Sequence, residues 1–265
     1  MSFNDKPMTA GRAVTNGHHA IILAAGVGRR LGVIDPGGAP KPKILLDFDG
    51  RSLLVRHLEL LQAVGVAKVT IVVGHGAASV RAALAACGTS LPVATIENPD
   101  YTQGSVVSLW TARAVLRGAQ PILLMDADVL YDRRLLERLV LSVHQDCLLL
   151  DRNIEPGDEP VKLCVRGESI VDFSKIPTEQ HDWHGESVGF FRFSSATAAE
   201  LAGRAEDYVV SGRRSQEYEE PIRDMILASD PRRFAFEDIS TLPWTEIDFP
   251  EDVIKARALL PELAG

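Results

Sequence analysis

The sequence predicts an α/β fold: a three-layer, Rossmann-like α/β/α arrangement whose central sheet is mixed but mostly parallel, with an inserted substrate-facing region of β-hairpin and helices. Three observations predict it. Short, continuous apolar runs alternate with stretches of helical periodicity through the first half, as expected for parallel strands covered on both faces. The first run, "AIIL", breaks directly into the glycine turn "AAGVG". Later runs end in glycine or carboxylate, and ligands of open α/β sheets bind beyond the carboxyl ends of the strands.

The elements follow in order. Residues 20–26 read as a buried strand, and 52–65 as a helix with Leu54, Leu58 and Leu61 at helical spacing. The β-branched run 68–74 is a strand, 77–88 a helix ending at glycine, 91–98 a strand and 105–116 a helix. Strand 121–129, helix 133–143 and strand 146–152 complete the alternation. The pattern then changes: 161–175 reads as a hairpin around Gly167, 186–194 as a further strand, and 195–208 and 215–229 as helices. Strands at 233–239 and 244–249 precede a closing helix over 250–263 with Pro250 at its start, where proline is tolerated. Residues 1–19 lack an apolar core and read as a flexible leader rather than a secretory signal. Residues 20–265 read as one domain.

The totals narrow the function. The 265 residues carry a net charge of −8, which argues against nucleic acid or an anionic membrane as a partner. No apolar run approaches the roughly 20 residues that span a bilayer. Cys87, Cys147 and Cys164 are too scattered for a disulfide framework or zinc site, so reduced thiols in a cytoplasmic protein are expected. The pair His181 and His184 lacks a nearby third ligand in sequence and reads as solvated.

The glycine turn is neither of the two common phosphate cradles. No G-x-x-x-x-G-K-[ST] string exists, and the G-x-G-x-x-G pattern fails because Leu31 stands at the third glycine. Gly26 and Gly28 still offer a tight turn with exposed N–H groups. Arg29, Arg30, Lys41 and Lys43 follow against one carboxylate, Asp35. On these residues alone, a polyanion site and a solvated basic loop are both open.

"LAAGVGRRL" followed by "PK" resembles the signature of the nucleoside-triphosphate transferase family, the pyrophosphorylases that activate sugar phosphates and polar alcohol phosphates. The match is Leu23, Ala24, Ala25, Gly26, Gly28, Arg30 and Leu31, then Pro42 and Lys43. "LLMDADVLYD" and "WTEIDFPEDVIKA" resemble the family's two later landmarks. The "EID-x-x-x-D" ending, "ESVGFFRFS" and "QEYEEPIRDMI" resemble the cytidylyltransferase branch that activates phosphocholine and 2-aminoethylphosphonate.

The resemblance implies magnesium held by Asp128 and Asp248, with Asp126 on the same strand face or behind them. It implies that Lys43 and Arg30 serve the triphosphate and that Arg29 is a solvated neighbour. It implies nucleotide contacts from Leu23, Ala24, Ala25, Gly26 and Gly28, and from Gln103, Gly104 and Ser105, where a helix opens with free N–H groups. The acceptor's phosphate or phosphonate then falls to Lys162 before Lys175. Its cationic head falls to Glu186, Tyr218 and Glu219, with Trp183 nearby; the acidic "QEYEE" tilts that choice toward an amine. Residues 20–152 become the nucleotide half, 153–245 the acceptor half and 246–265 the metal ligand and closing helix. The partners implied are CTP and a small phosphate or phosphonate acceptor, with homodimerisation left open. Two other readings stand beside this one. The first is a sugar-1-phosphate or inositol-phosphate nucleotidyltransferase using UTP, dTTP or CTP. The second is a non-catalytic nucleotide-binding regulatory relative, against which the joint presence of Arg30, Lys43, Asp128 and Asp248 speaks.

Overall fold

The computed structural model describes residues 17–32, 38, 40–154, 157 and 159–263. Most of the basic loop at 32–41, Asp35 included, lies outside the described residues, as do residues 1–16 of the expected leader. The remainder of that leader is a correction. His18 and His19 are buried, and His19 already begins the first strand.

The strands are β1 (His19–Ala24), β2 (Asp47–Phe48), β3 (Arg51–Ser52), β4 (Lys68–Val73), β5 (Val93–Glu97), β6 (Ile122–Asp126), β7 (Val129–Tyr131), β8 (Cys147–Asp151), β9 (Lys162–Arg166), β10 (Ser169–Ser174), β11 (Trp183–Phe193), β12 (Ala235–Asp238) and β13 (Trp244–Glu246). The helices are α1 (Leu53–Ala63), α2 (Ala77–Ala86), α3 (Ser105–Thr111), α4 (Arg113–Leu116), α5 (Arg133–Leu141), α6 (Ser195–Val210), α7 (Glu219–Ala228) and α8 (Pro250–Leu259). The helix expected over 105–116 is broken at Ala112, whose ψ of 3° leaves the helical region. The strand expected over 121–129 stops at Asp126, and β7 resumes at Val129 in a separate small sheet with β13.

The main sheet runs β10-β9-β11-β6-β1-β4-β5, with β8 beside β11 and β12 beside β8. β1 pairs in parallel with β4 and β6, and β5 adds in parallel to β4. β11 enters antiparallel. Successive side chains of a strand point to opposite faces, and here both faces are covered. Ala20, Ile22, Leu123 and Met125 join one core with α1, α2 and α5. Ile21, Ile122 and Leu124 join the other with α3, α4, α6 and α7. That double coverage is why the strands read as unbroken apolar runs. A third, smaller cluster of Leu31, Phe48, Leu130, Ile247 and Ala256 seats α8 against β7. No helix among the described residues is long and apolar enough to cross a membrane.

β11 creates the opening that the site uses. It pairs β9 over Trp183–Glu186 and then β6 over Phe190–Phe193, with an irregularity between. There Gly189 adopts a φ of +74°, and a Cβ on it would lie 2.0 Å from Oδ2 of Asp126. Only glycine fits, in conformation and in space.

The core also predicts a pH dependence. His57 is fully buried, hydrogen-bonded to the Tyr131 hydroxyl (3.2 Å) and the Ala127 carbonyl (3.1 Å), and burial pulls its pKa down to about 4. Burial pulls His18 and His19 down to about 4 as well. The unfolded chain takes up these protons near pH 6.5 and the folded chain only near 4. Stability is therefore complete above pH 6.5 and falls as pH drops through that window, on a scale of up to about 3 kcal/mol per histidine. The urea midpoint is expected to decrease from pH 7 to pH 4.5, and His57→Gln, which keeps hydrogen bonding without titrating, is expected to flatten part of that slope. An unchanged slope would remove His57 from this account.

Candidate active site

The turn after β1 carries the first cations. Gly28 sits at φ +64°, and a Cβ there would press on Cγ of Lys43 at 3.1 Å. Glycine thus lets the lysine stem lie flat against the loop. Ile44, beside Lys43, is 1% exposed and anchors the short 3-10 turn that follows Pro42. The Lys43 ammonium points into a cleft, where it donates to Oδ2 of Asp128 at 2.8 Å and to Oδ1 of Asp248. Arg30 donates to Oδ2 of Asp248 at 2.8 Å and to Glu159 at 3.3 Å, with its guanidinium 4.9 Å from the centre of the Phe249 ring.

The carboxylates sit at and just beyond the paired ends of two strands held in register. The β7–β13 pairing sets Val129 opposite Glu246, and the Ile247 N–H donates to the Asp128 carbonyl at 3.0 Å. The Asp252 carboxylate accepts from the N–H groups of Asp248 (3.1 Å) and Phe249 (2.8 Å), fixing the entry to α8. Asp128, Glu246 and Asp248 each bring an oxygen within 4.8 Å of the others. Glu246 was missed by the sequence reasoning. It lies in "TEID", two residues before Asp248, and its pairing with β7 is the missing signal. Partial loss of water at the cleft wall, then Asp128 and Asp248, hold its carboxyl above the usual carboxylate range. Burial acts to lower the Lys43 pKa, but Asp128 and Asp248 outweigh it, and the ammonium is held above its ordinary value. This set is all hard oxygen, with a cation already resting between two members. It fits Mg²⁺, which takes a few carboxylates and keeps waters and phosphate oxygens for the rest.

The cleft encloses about 820 Å³ beyond the carboxyl ends of β1 and β6. Leu23, Ala24, Ala25, Gly26 and Gly28 line one wall, and Gln103, Gly104 and Ser105 line another. The expected free N–H groups of that second wall are a correction. Gly104 N–H donates to the Arg214 carbonyl (2.8 Å), Ser105 N–H meets Glu217 (3.4 Å), and Val106 N–H donates to the Gln216 carbonyl (3.2 Å). Arg214 also holds Gln103 and Asp100, each at 2.6 Å. The segment before α7 has closed that helix start, leaving its surface rather than its N–H groups to a ligand.

The acceptor side differs in three respects from the sequence expectation. Lys162 is not on the cleft wall; its ammonium is spent on the carbonyls of Lys175 (2.9 Å) and Gly157 (3.4 Å). Lys175 lines the cleft instead, 3.2 Å from Glu159. Trp183 also lies off the cleft, against Phe236 and under Arg152. Tyr218 is 4% exposed, packed edge-on to Phe191, and donates its hydroxyl to Oδ2 of Asp126 at 2.6 Å. It offers no open aromatic face. Asp126 is therefore engaged with α7's start rather than with Asp128, because the strand ends before alternation could align them. Glu186 and Glu219 both line the cleft. Oε2 of Glu219 is buried with no hydrogen-bond partner, and burial first, then Glu217, raises its carboxyl to about 7. His181 and His184 bond to each other at 3.1 Å and join no larger cluster of metal-binding side chains among the described residues.

An open α/β sheet with a glycine turn and cations facing a carboxylate trio at its carboxyl end is the arrangement of an anion-binding α/β site. The chain belongs to the family of the MobA-like NTP transferase domain, whose model matches residues 20–177. It is 28% identical over 238 residues to CMP-5'-(3-aminopropyl)phosphonate synthase of Streptomyces rubellomurinus, covering 88% of this chain and 37% of that protein. It is 30% identical over 250 residues to the bifunctional IPC transferase and DIPP synthase of Rubrobacter xylanophilus, covering 92% and 52%. The chain thus spans about half or less of these relatives. The fold is shared with the inositol-1-phosphate CTP transferase from T. maritima (TM-score 0.74, 20% identity, 94% of this chain and 99% of that one). It is shared also with the CTP:phosphocholine cytidylyltransferase from Streptococcus pneumoniae (TM-score 0.69, 20% identity, 92% and 99%).

Proposed function

We propose that this chain is a cytoplasmic, magnesium-dependent cytidylyltransferase, a single domain from β1 through α8. It moves CMP from CTP to a small phosphate or phosphonate acceptor that carries an amine, and releases pyrophosphate. The observation that carries the reading is the convergence of Lys43 and Arg30 on Asp128 and Asp248, with Glu246 beside them, in the cleft that Glu219 also lines with its unpartnered Oε2. The relatives named above include proteins whose names specify CMP-phosphonate synthesis and IPC transfer, which supports CTP as donor.

The chemistry is attack of an acceptor oxygen on the α-phosphorus, with the bond to pyrophosphate breaking. A phosphate or phosphonate oxygen is already an anion at neutral pH, so no general base is required of the protein. Lys43 and Arg30, freed from the aspartates as the triphosphate binds, meet its negative oxygens and the charge that develops on pyrophosphate. In this reading Lys175 holds the acceptor's oxygens and Glu219 its ammonium, so that the nucleophile is aligned before reaction. Asp128, Glu246 and Asp248 would hold Mg²⁺, which when bound screens the triphosphate charge.

Pyrophosphate release from a matrix of CTP, UTP and dTTP against 2-aminoethylphosphonate, phosphocholine, inositol phosphate and glucose-1-phosphate tests this reading. Turnover is expected with CTP and the aminophosphonate. Turnover confined to a sugar or inositol phosphate would replace the acceptor assignment, and no turnover with any pair would favour a regulatory nucleotide-binding protein.

A further inference from the structure

A second cavity of about 310 Å³ lies behind β7, the strand that follows Asp128, and its volume is that of a small-molecule site. Leu60, Ala63, Leu130 and Leu263 give it apolar walls, and Arg51, Arg56 and Arg133 bring three guanidiniums to it. Two of these are matched: Arg51 pairs with Glu59 at 3.3 Å, and Arg133 with Glu137 at 3.0 Å. Asp49 also lines the cavity. Arg56 is different. It makes no ion pair among the described residues, donates one N–H to the Phe48 carbonyl at 2.6 Å, and keeps its Nε buried with no hydrogen-bond partner. The Nε is closed to any occupant of the cavity, but Nη1 is accessible and has no acceptor among the described residues, and a guanidinium N–H gains most from a charged acceptor.

We propose that this cavity binds a small organic anion with a short apolar body, its carboxylate or phosphate meeting Arg56 and its body lying along Leu60, Leu130 and Leu263. Charge and shape both ask for this class. A bare inorganic anion would leave the apolar walls uncovered, and an apolar molecule would leave the Arg56 donor unmet. The inner wall ties the cavity to the candidate active site. Tyr131 and His57 both line it, and His57 holds the Ala127 carbonyl between Asp126 and Asp128. An occupant therefore rests on the same support as the carboxylate trio, without entering the cleft.

Calorimetric titration with hexanoate and hexyl phosphate tests the proposal, with acetate and hexylammonium as controls. One equivalent of at least one hexyl anion is expected to bind, with acetate at least tenfold weaker and hexylammonium silent. Arg56→Met, which keeps bulk and removes the guanidinium, and Ala63→Trp, which fills the cavity from an exposed helix position, are each expected to weaken binding at least tenfold. Lys43→Met is expected to leave it unchanged. Loss of binding in Lys43→Met, or binding indifferent to both cavity variants, would place the anion in the main cleft and overturn the proposal. The absence of binding by either hexyl anion to the wild-type protein would also overturn it. Because the controls discriminate on the wild-type protein, the result does not depend on the variants folding.

Discussion

Lys43→Met is expected to reduce kcat/KM for CTP at least a thousandfold and, in the same protein, to tighten Mn²⁺ binding when no nucleotide is present. The two effects have one origin. The Lys43 ammonium rests on Asp128 and Asp248, two of the three carboxylates that would hold the metal. It neutralises the charge that a divalent ion needs. Methionine keeps the stem that packs on Gly28 and removes the competing cation, so the bare site becomes a better metal site. Turnover fails because the triphosphate loses its buried positive partner in a site where charge is poorly screened; about 4 kcal/mol of transition-state stabilisation corresponds to that loss of rate. The expected readouts are pyrophosphate release and Mn²⁺ titration by electron paramagnetic resonance, with thermal melting to show that the variant is folded. Weaker Mn²⁺ binding in Lys43→Met would mean that the lysine organises the carboxylates rather than blocking them. Retained turnover would remove it from the mechanism.

This arrangement also shows how far the sequence could be read. The near-continuous apolar runs identified β1, β4, β6 and β8, because burial on both faces of a sheet makes most positions apolar. Lys43, Asp128 and Asp248 stand 85 and 205 residues apart in their pairings, and no periodicity connects them. Only the ordered resemblance placed them together as candidates. What stayed illegible depended on register. Glu246 joins the carboxylates because β13 pairs with β7, a contact between three-residue strands that carries no compositional signal. Lys162 and Lys175 lie at the two ends of one hairpin, and sequence could not say which ammonium the hairpin's own carbonyls would take. In "QEYEE" the helix begins only at Glu219, so helical spacing could not separate the exposed Glu217 from the half-buried Glu219. Tyr218 looked like an aromatic contact because its partner, Asp126, is 92 residues away.

Glu219→Gln is expected to raise the KM for an amine-bearing acceptor at least tenfold, to lower kcat less, and to leave the KM for CTP unchanged. The expectation rests on an unmet acceptor at Glu219. Oε2 of Glu219 is buried without a partner, and burial raises the carboxyl to about 7. An ammonium group entering the cleft supplies the missing partner and favours the ionised form. Glutamine keeps the shape and loses the charge, so the cost falls on acceptor binding, at roughly 1.5–3 kcal/mol for a charge-assisted hydrogen bond. The sign of the pH dependence follows. Below pH 7 the wild-type carboxyl is protonated, and the acceptor's ammonium must displace that proton to bind, so acceptor KM rises as pH falls through about 7. In Glu219→Gln this component is absent, whatever titration the acceptor itself contributes, so the difference between the two profiles isolates Glu219. Stability is expected to be nearly unchanged, since the carboxyl it replaces is already protonated for much of the time and its Oε2 has no partner. A parallel shift in both profiles, or an equal loss in CTP affinity, would assign Glu219 to the wall of the cleft and leave the acceptor's cation to Glu186.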